Sequence, residues 1–389
     1  MLIGQEITVM GGGIGGFTAA LALAQRGAVV RVLEQADQIG EVGAGLQISP
    51  NGVRVLDALG LGAEARARAT RSQGVWLRDG VSGHEVIDLD LARLRPDETY
   101  LMFHRADLLD LLMQAAVAAG VTVETGVRVD RVEATAGKPV IHINGRAPEQ
   151  VGFLVGADGL HSVLRSELNG NPAPFFTGQV AWRALVPASG REEAEATIFM
   201  GPGRHMVTYP LRQGQVINLV AVEERADWAA EGWFHKDDPE NLRRAFAGFC
   251  QDAQDVLSRV DQVHVWGLHR HPVAVEWHKG FCALLGDAAH PTLPFMAQGA
   301  VMALEDAWVL ADSLAKQGLE DGPALYQARR RPRTARVIEA ANKNARNYHY
   351  GNPLAKAVGH GVLRLANRFA PNTVLGRFDW IYQHDVTAD

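Results

Sequence analysis

Three features of the sequence predict an α/β fold: a parallel-sheet domain wound with helices, an inserted antiparallel-sheet domain, and a helical C-terminal region. The first is Val9–Gly16, where Gly11, Gly13 and Gly16 fall on the pattern G-x-G-x-x-G between a short alternating strand and a helix. The second is a change of pattern from Gln179 to Val275, where polar and apolar residues alternate along successive strands, as in a sheet with one buried face. The third is the return at Phe281–Leu285 to a wholly apolar strand, after which the pattern is helical.

Each glycine of the first stretch has a mechanical task. Gly11 permits the sharp turn, Gly13 lets the backbone approach a pyrophosphate, and Gly16 lets helix and strand pack closely. The N–H groups of Gly13, Ile14, Gly15 and Gly16 open a helix whose dipole favours an anion. That helix is predicted over Phe17–Arg26, closed by Gly27. Ala28–Leu33 then reads as a buried parallel strand ending at Glu34 and Gln35, the spacing at which an acid accepts ribose hydroxyls. An Arg there would point to a 2′-phosphate. The unit therefore predicts a dinucleotide site.

Gly40, Gly43 and Gly45 mark a backbone that folds tightly or lies against something flat, and Ser49-Pro50 opens a helix to Leu59. Arg105 stands before the helix Ala106–Ala119, the wrong end of the dipole for a cation, so it is either solvated or balanced by an anion. Val121–Glu133, Val140–Asn144 and Phe153–Ala157 read as strands. The last runs into Gly156-Ala157-Asp158-Gly159, with Ser162 and Arg165 beyond, where Asp158 and Arg165 suit an ion pair. The inserted domain is read as the strands Val180–Val186, Ala196–Met200, Met206–Leu211, Val216–Val222 and Val263–Leu268 with one helix, Leu242–Leu257. Phe281–Leu285 ends in Gly286-Asp287. Pro291, Pro294 and Gln298-Gly299 follow, before the helix Val301–Ala315. The arginines 329, 330, 331, 333 and 336 on Asp321–Asn344 read as a solvated, ion-paired helix face rather than a site for an acidic partner or a membrane. Leu354–Phe369 is expected to pack on the body. The predicted domains are 1–178 and 280–320 for the nucleotide fold, 179–279 for the inserted sheet, and 321–389 for the C-terminal helices.

Composition bounds the partners. A formal charge of −6 argues against nucleic acid. The two cysteines, Cys250 and Cys282, form no C-x-x-C and suit a reducing cytoplasm. Met1-Leu2-Ile3 runs directly into the first strand, leaving no room for a signal peptide, and no apolar run has the length of a membrane span. His269 and His271 share a strand face but lack further ligands, so no metal is expected. Monomer and homodimer remain open.

Gly11–Gly16 with Glu34, Gly156–Gly159 with Ser162 and Arg165, and Gly286-Asp287 followed by Pro294 together resemble the single-component flavoprotein aromatic hydroxylases, most closely their salicylate hydroxylase-like branch. The resemblance runs from Val9 to Asp379-Trp380-Ile381-Tyr382. It implies a Rossmann-like FAD-binding domain, with Glu34 on the adenosine ribose and Arg105 near the FAD. Asp158 would lie near the pyrophosphate, Asp287 at the ribityl chain and Pro294 against the flavin ring. Gly286, Gly299, Ala300 and Val301 would be further FAD-binding residues. It implies NADH or NADPH as a visiting reductant, O2 as co-substrate, and hydroxylation of a small phenolic or heteroaromatic acid through a flavin C4a-hydroperoxide. The family usually carries Asn where this chain has Val301, so a side-chain bond to the flavin is expected to be missing, leaving the backbone N–H groups of the helix start.

Such chemistry needs a base beside the ring hydroxyl and a dry site. His205 and Tyr209 share one face of the strand predicted over Arg204–Leu211, because strand side chains alternate with period two. This pair is also similar to substrate-site residues of the family. Gln298 is a further catalytic candidate, and Arg183 is a candidate for a substrate carboxylate. Competing readings are a urate- or ubiquinone-type hydroxylase or an FAD-dependent reductase on the same scaffold and, from another class, a flavin-binding protein without turnover.

Overall fold

A computed structural model describes residues 1–389 except 41–43, 226, 228, 230, 232–234, 345–348, 350–352 and 389. Its first sheet has six strands in the order His278–Lys279, Cys282–Leu284, Phe153–Gly156, Glu6–Met10, Val29–Leu33 and Thr122–Glu124. All neighbours are parallel except the first pair. Register explains why three remote motifs converge. Met10 pairs with Gly156, and Gly156 with Leu284, so the turns that follow those residues leave the sheet side by side. The helix Ile14–Ala24 starts three residues before its apolar pattern suggests, at Gly13 in extended conformation. Arg105–Ala118 packs beneath it through Leu108, Leu109, Leu112 and Ala116.

The second sheet has eight strands in the order His235–Asp237, Val263–Arg270, Phe175–Pro187, Val216–Glu224, Arg204–Leu211, Glu195–Gly201, Gly74–Asp79 and Glu85–Asp90. Its last two strands come from well before residue 179, a long-range pairing that local pattern does not carry. Alternation divides its faces. Val180, Trp182, Ala184 and Val186 join Leu242, Phe246 and Leu257 in one core, where Trp182 and Phe246 meet edge to face at 6.3 Å. Ala181, Arg183 and Leu185 point the other way, toward the first domain.

Two elements differ from expectation. The helix expected over Leu242–Leu257 is two, Pro239–Ala245 and Gln251–Ser258, because the chain turns at 246–250 to bury both Phe246 and Phe249. Val121–Glu133 is two strands of different sheets, Thr122–Glu124 and Val129–Glu133, parted at Gly126 with φ 67°. The late helices stand as two, as expected: the helical stretch Gly299–Asn344 is broken at Gly318, whose φ of 78° is not helical. The helix Pro353–Phe369 lies on Glu85–Asp90, with Leu363 against Val86 and Ile87. Among the described residues no helix is long and apolar enough to cross a membrane.

Candidate active site

A cavity of about 330 Å³ lies between the three converging turns and the free face of the eight-stranded sheet. Gly13, Ile14 and Gly15 line its first wall at the start of an 11-residue helix that has no side-chain cap and no acidic residue in its first turn. Its first turn therefore brings no acidic side chain of its own to the N–H groups at the helix start. A Cβ on Gly13 would meet nothing within 4 Å, whereas one on Gly11 or Gly16 would run into backbone oxygens at 2.3 and 1.9 Å. Gly13 thus borders open space, and its two companions are consumed by packing. Glu34 ends its strand with Oε2 accepting from Gly12 N–H at 2.6 Å and Oε1 from Ala36 N–H at 2.8 Å, and Gln35 beside it is exposed. Such a cradle fits the pyrophosphate and ribose of a dinucleotide.

Gly286, Asp287, Pro294, Gly299 and Ala300 line a second wall, and Arg105 and Gly45 also border the cavity. Asp287 opens onto the cavity but is ringed by protein. Burial pushes its carboxyl up, and His290, Arg105 and His271 oppose that. Arg105 is half-buried at the cavity rather than solvated. Asp158 lies behind the lining. Its Oδ2 caps Val163 N–H at 2.8 Å, and its Oδ1 is buried with no hydrogen-bond partner among the described residues. The expected Asp158–Arg165 pair does not form. Arg165 donates instead to the carbonyls of Ala288, Ala289 and Pro272, which ties the second motif to the third. Gly43 of the glycine-rich loop lies outside the described residues.

The sheet supplies the third wall. Antiparallel register sets His205 against Val222, Val207 against Val220 and Tyr209 against Asn218, with Arg183 on the far side of Val220. His205, Val207, Tyr209, Val220, Val222 and Arg183 all line the cavity. Burial, and then His349, holds the His205 imidazole well below its ordinary range, so it is a neutral base at neutral pH. Burial raises the Tyr209 phenol, against Arg183 and Asn218.

Two expected residues turn away from the cavity. Gln298 donates to Ser49 Oγ at 2.9 Å and accepts from Asn51 at 3.2 Å, because Ala297 before it is left-handed (φ 52°) and redirects the chain. Val301 is fully buried against Gly52, so a polar side chain at this position would meet the second helix and not a ring in the cavity. His269 bonds Gly267 O at 3.1 Å and His271 pairs with Glu231 at 2.6 Å.

Sequence reasoning missed two groups. Asn218 is fully buried, accepts from Gly45 N–H at 2.7 Å and contacts the Tyr209 hydroxyl; a Cβ on Gly45 would lie 2.5 Å from it. Its signal was a lone amide in the apolar run 216–222. The second is an ionic cluster under the third turn. Arg330 is 1% exposed, with Nη1 2.7 Å from Glu305 and Nε 2.7 Å from Asp306. Arg333 holds Glu305 at 2.9 Å, His290 holds Asp306, and Asp306 accepts from Gly286 N–H at 3.0 Å. Burial alone would raise Asp306, yet His290 and Arg330 hold it at about 2. Arg329, Arg330 and Arg333 of the arginine run are therefore ion-paired as expected, but at 330 and 333 the run faces the core and not solvent. Arg331 donates to Ala274 O, and Arg336 lies over Trp380. Glu305 and Asp306, inside an apolar helix, were the available signal.

Comparison with known proteins agrees with this geometry. A family model described as FAD binding domain matches residues 5–341. The 3-hydroxybenzoate 6-hydroxylase of Polaromonas naphthalenivorans is 35% identical over 98% of this chain and 96% of that protein. The salicylate hydroxylase of Pseudomonas putida is 31% identical over 100% of this chain and 94% of that one. The crystal structure of Klebsiella pneumoniae HpxO complexed with FAD and uric acid superposes with a TM-score of 0.82 at 26% identity, covering 94% of each chain. With a glycine cradle open at Gly13 and a family match across most of its length, this chain belongs to the FAD binding domain family and takes FAD as its cofactor.

Proposed function

We propose that the protein is an FAD-dependent monooxygenase that uses NADH or NADPH and O2 to hydroxylate a small phenolic or heteroaromatic acid. One observation carries this reading: a buried, neutral His205 lines the same cavity as the dinucleotide cradle. Bound FAD supplies the reductive activation of O2, which protein side chains do not perform. His205 accepts the proton of the ring hydroxyl, and the phenolate so formed is the stronger carbon nucleophile. From His205 to Tyr209 is about 13 Å of strand, room for one aromatic ring over Val207 between them. Arg183 supplies the positive charge for a carboxylate. Val207, Val220 and Val222 keep that space dry. Gly299, Ala300 and Arg105 line the cavity, and their backbone N–H groups and guanidinium would hold the FAD and favour negative charge on it. With no second G-x-G-x-x-G, the nicotinamide visits rather than stays, and the enzyme works in the cytoplasm as a monomer or homodimer.

The test is a panel of hydroxybenzoates, hydroxynicotinates and urate with the FAD-loaded protein. A phenolic acid is expected to stimulate NADH or NADPH oxidation and to gain one oxygen by mass. Stimulation by urate alone, or oxidation that yields only peroxide with every phenol, contradicts the reading.

A further inference from the structure

Two polar contacts behind His205 lead from the cavity to the surface. His205 Nδ1 lies 2.7 Å from His349 Nε2, and His349 Nδ1 lies 2.8 Å from Glu224 Oε1. The His205 residue is 3% exposed and the His349 side chain 2%, but the Glu224 side chain is 55% exposed. Register explains the choice of acid. His205 opposes Val222, so Glu224, two residues on, shares its sheet face, while Glu223 lies on the other and pairs with Arg204 and Arg225. Ala181, Val222, Leu268, Leu293 and Phe295 form an apolar cluster at this end of the sheet, with the Phe295 ring 5.9 Å from His205.

We propose that His205, His349 and Glu224 form a proton relay that carries the substrate's hydroxyl proton from the buried cavity to solvent. The inference rests on the phenol-hydroxylating reading above. Before transfer, His205 Nδ1–H donates to His349, and His349 Nδ1–H donates to Glu224. The phenol O–H bond breaks as its proton passes to His205 Nε2. The Nδ1 proton of His205 passes to His349 Nε2, and that of His349 to Glu224 and then to water. Both rings change tautomer and remain neutral, and the net products are bound phenolate and one proton in bulk water. A relay is needed because a proton retained on His205 would be a buried cation. Burial disfavours that charge, and so does the neighbouring imidazole. Arg204 likewise opposes charge on His349 and Glu224 favours it, and on the cavity side the charged or titratable groups are Arg183, Tyr209, Arg105 and Asp287. The same path run backwards reprotonates the product.

The experiment mixes oxidised FAD-loaded protein with 3-hydroxybenzoate, salicylate or 4-hydroxybenzoate and follows phenolate absorbance by stopped flow, with no reductant present. Flavin absorbance reports binding separately. Wild type is expected to bind at least one phenol and ionise it with a solvent deuterium effect. His349→Gln should slow ionisation about tenfold or more while binding persists. The exposed Glu224→Gln, which cannot unfold a core, should slow it less and shift its pH profile. Added imidazole should restore the rate in His349→Gly. Equal rates and pH profiles in all variants overturn the relay and leave the hydroxylase reading standing. A wild type that binds none of the phenols overturns both.

Discussion

Two buried polar regions lie on either side of the cavity, and they handle charge in opposite ways. Under the third turn, Arg330, Arg333, Glu305, Asp306 and His290 are ionised or paired at close range. On the sheet, His205 and Tyr209 are equally buried, but burial drives both toward their neutral forms. A compensated cluster resists any change of protonation and so fixes geometry, here the backbone N–H of Gly286. A neutral group with a hydrogen-bonded partner, as His205 has in His349, can instead pass a proton on without holding a charge. The difference assigns positioning to one region and chemistry to the other.

The largest effect is expected from breaking the compensated side. Arg330→Met leaves two buried carboxylates short of their cation and should cost about 3–5 kcal/mol in urea denaturation. A loss under 1 kcal/mol would mean that the cluster adds little. The cradle gives a paired test. Gly16→Ala places a Cβ 1.9 Å from Gly11 O and should lower Tm sharply even without FAD. Gly13→Ala, with open space around its Cβ, should leave Tm of the apoprotein unchanged and weaken FAD at least about tenfold, roughly 1.4 kcal/mol, by titration.

A smaller effect sharpens the comparison within the eight-stranded sheet. Glu195 Oε2 is buried with no hydrogen-bond partner among the described residues, and burial, helped by Glu193, Asp88 and Asp90, pushes its carboxyl up to about 7. Here a raised acid is a liability. The unfolded chain ionises above about pH 4.3 while the folded one does not, so stability falls as pH rises from there toward 7. Asp306, held at about 2, has the opposite sign. It contributes stability above the unfolded pKa and loses it as pH falls through about 2. Glu195→Gln should therefore raise Tm at pH 8 and change it little at pH 4.

The cradle was legible in the sequence because it is made by backbone: glycine spacing, a helix start and a strand-ending acid are local patterns. The convergence of the three motifs followed from the strand ends that precede them. The sheet face was half legible. Period two placed His205 with Tyr209, but nothing local brought His349, 144 residues away, to within 2.7 Å. Gln298 and Val301 were misjudged for a related reason, because one left-handed residue at Ala297 turned them inward. The arginine run misled because a charged helix face reads alike whether it meets water or two buried carboxylates on the preceding helix.

The central claim is that His205 is the base that prepares a phenol for hydroxylation. Its most direct test is the ratio of hydroxylated product to NADH or NADPH consumed, by mass spectrometry and absorbance, in wild type and His205→Ala with the best phenol of the panel. The account predicts that the variant still oxidises reductant while product per reductant falls about a hundredfold. An unchanged ratio would contradict it.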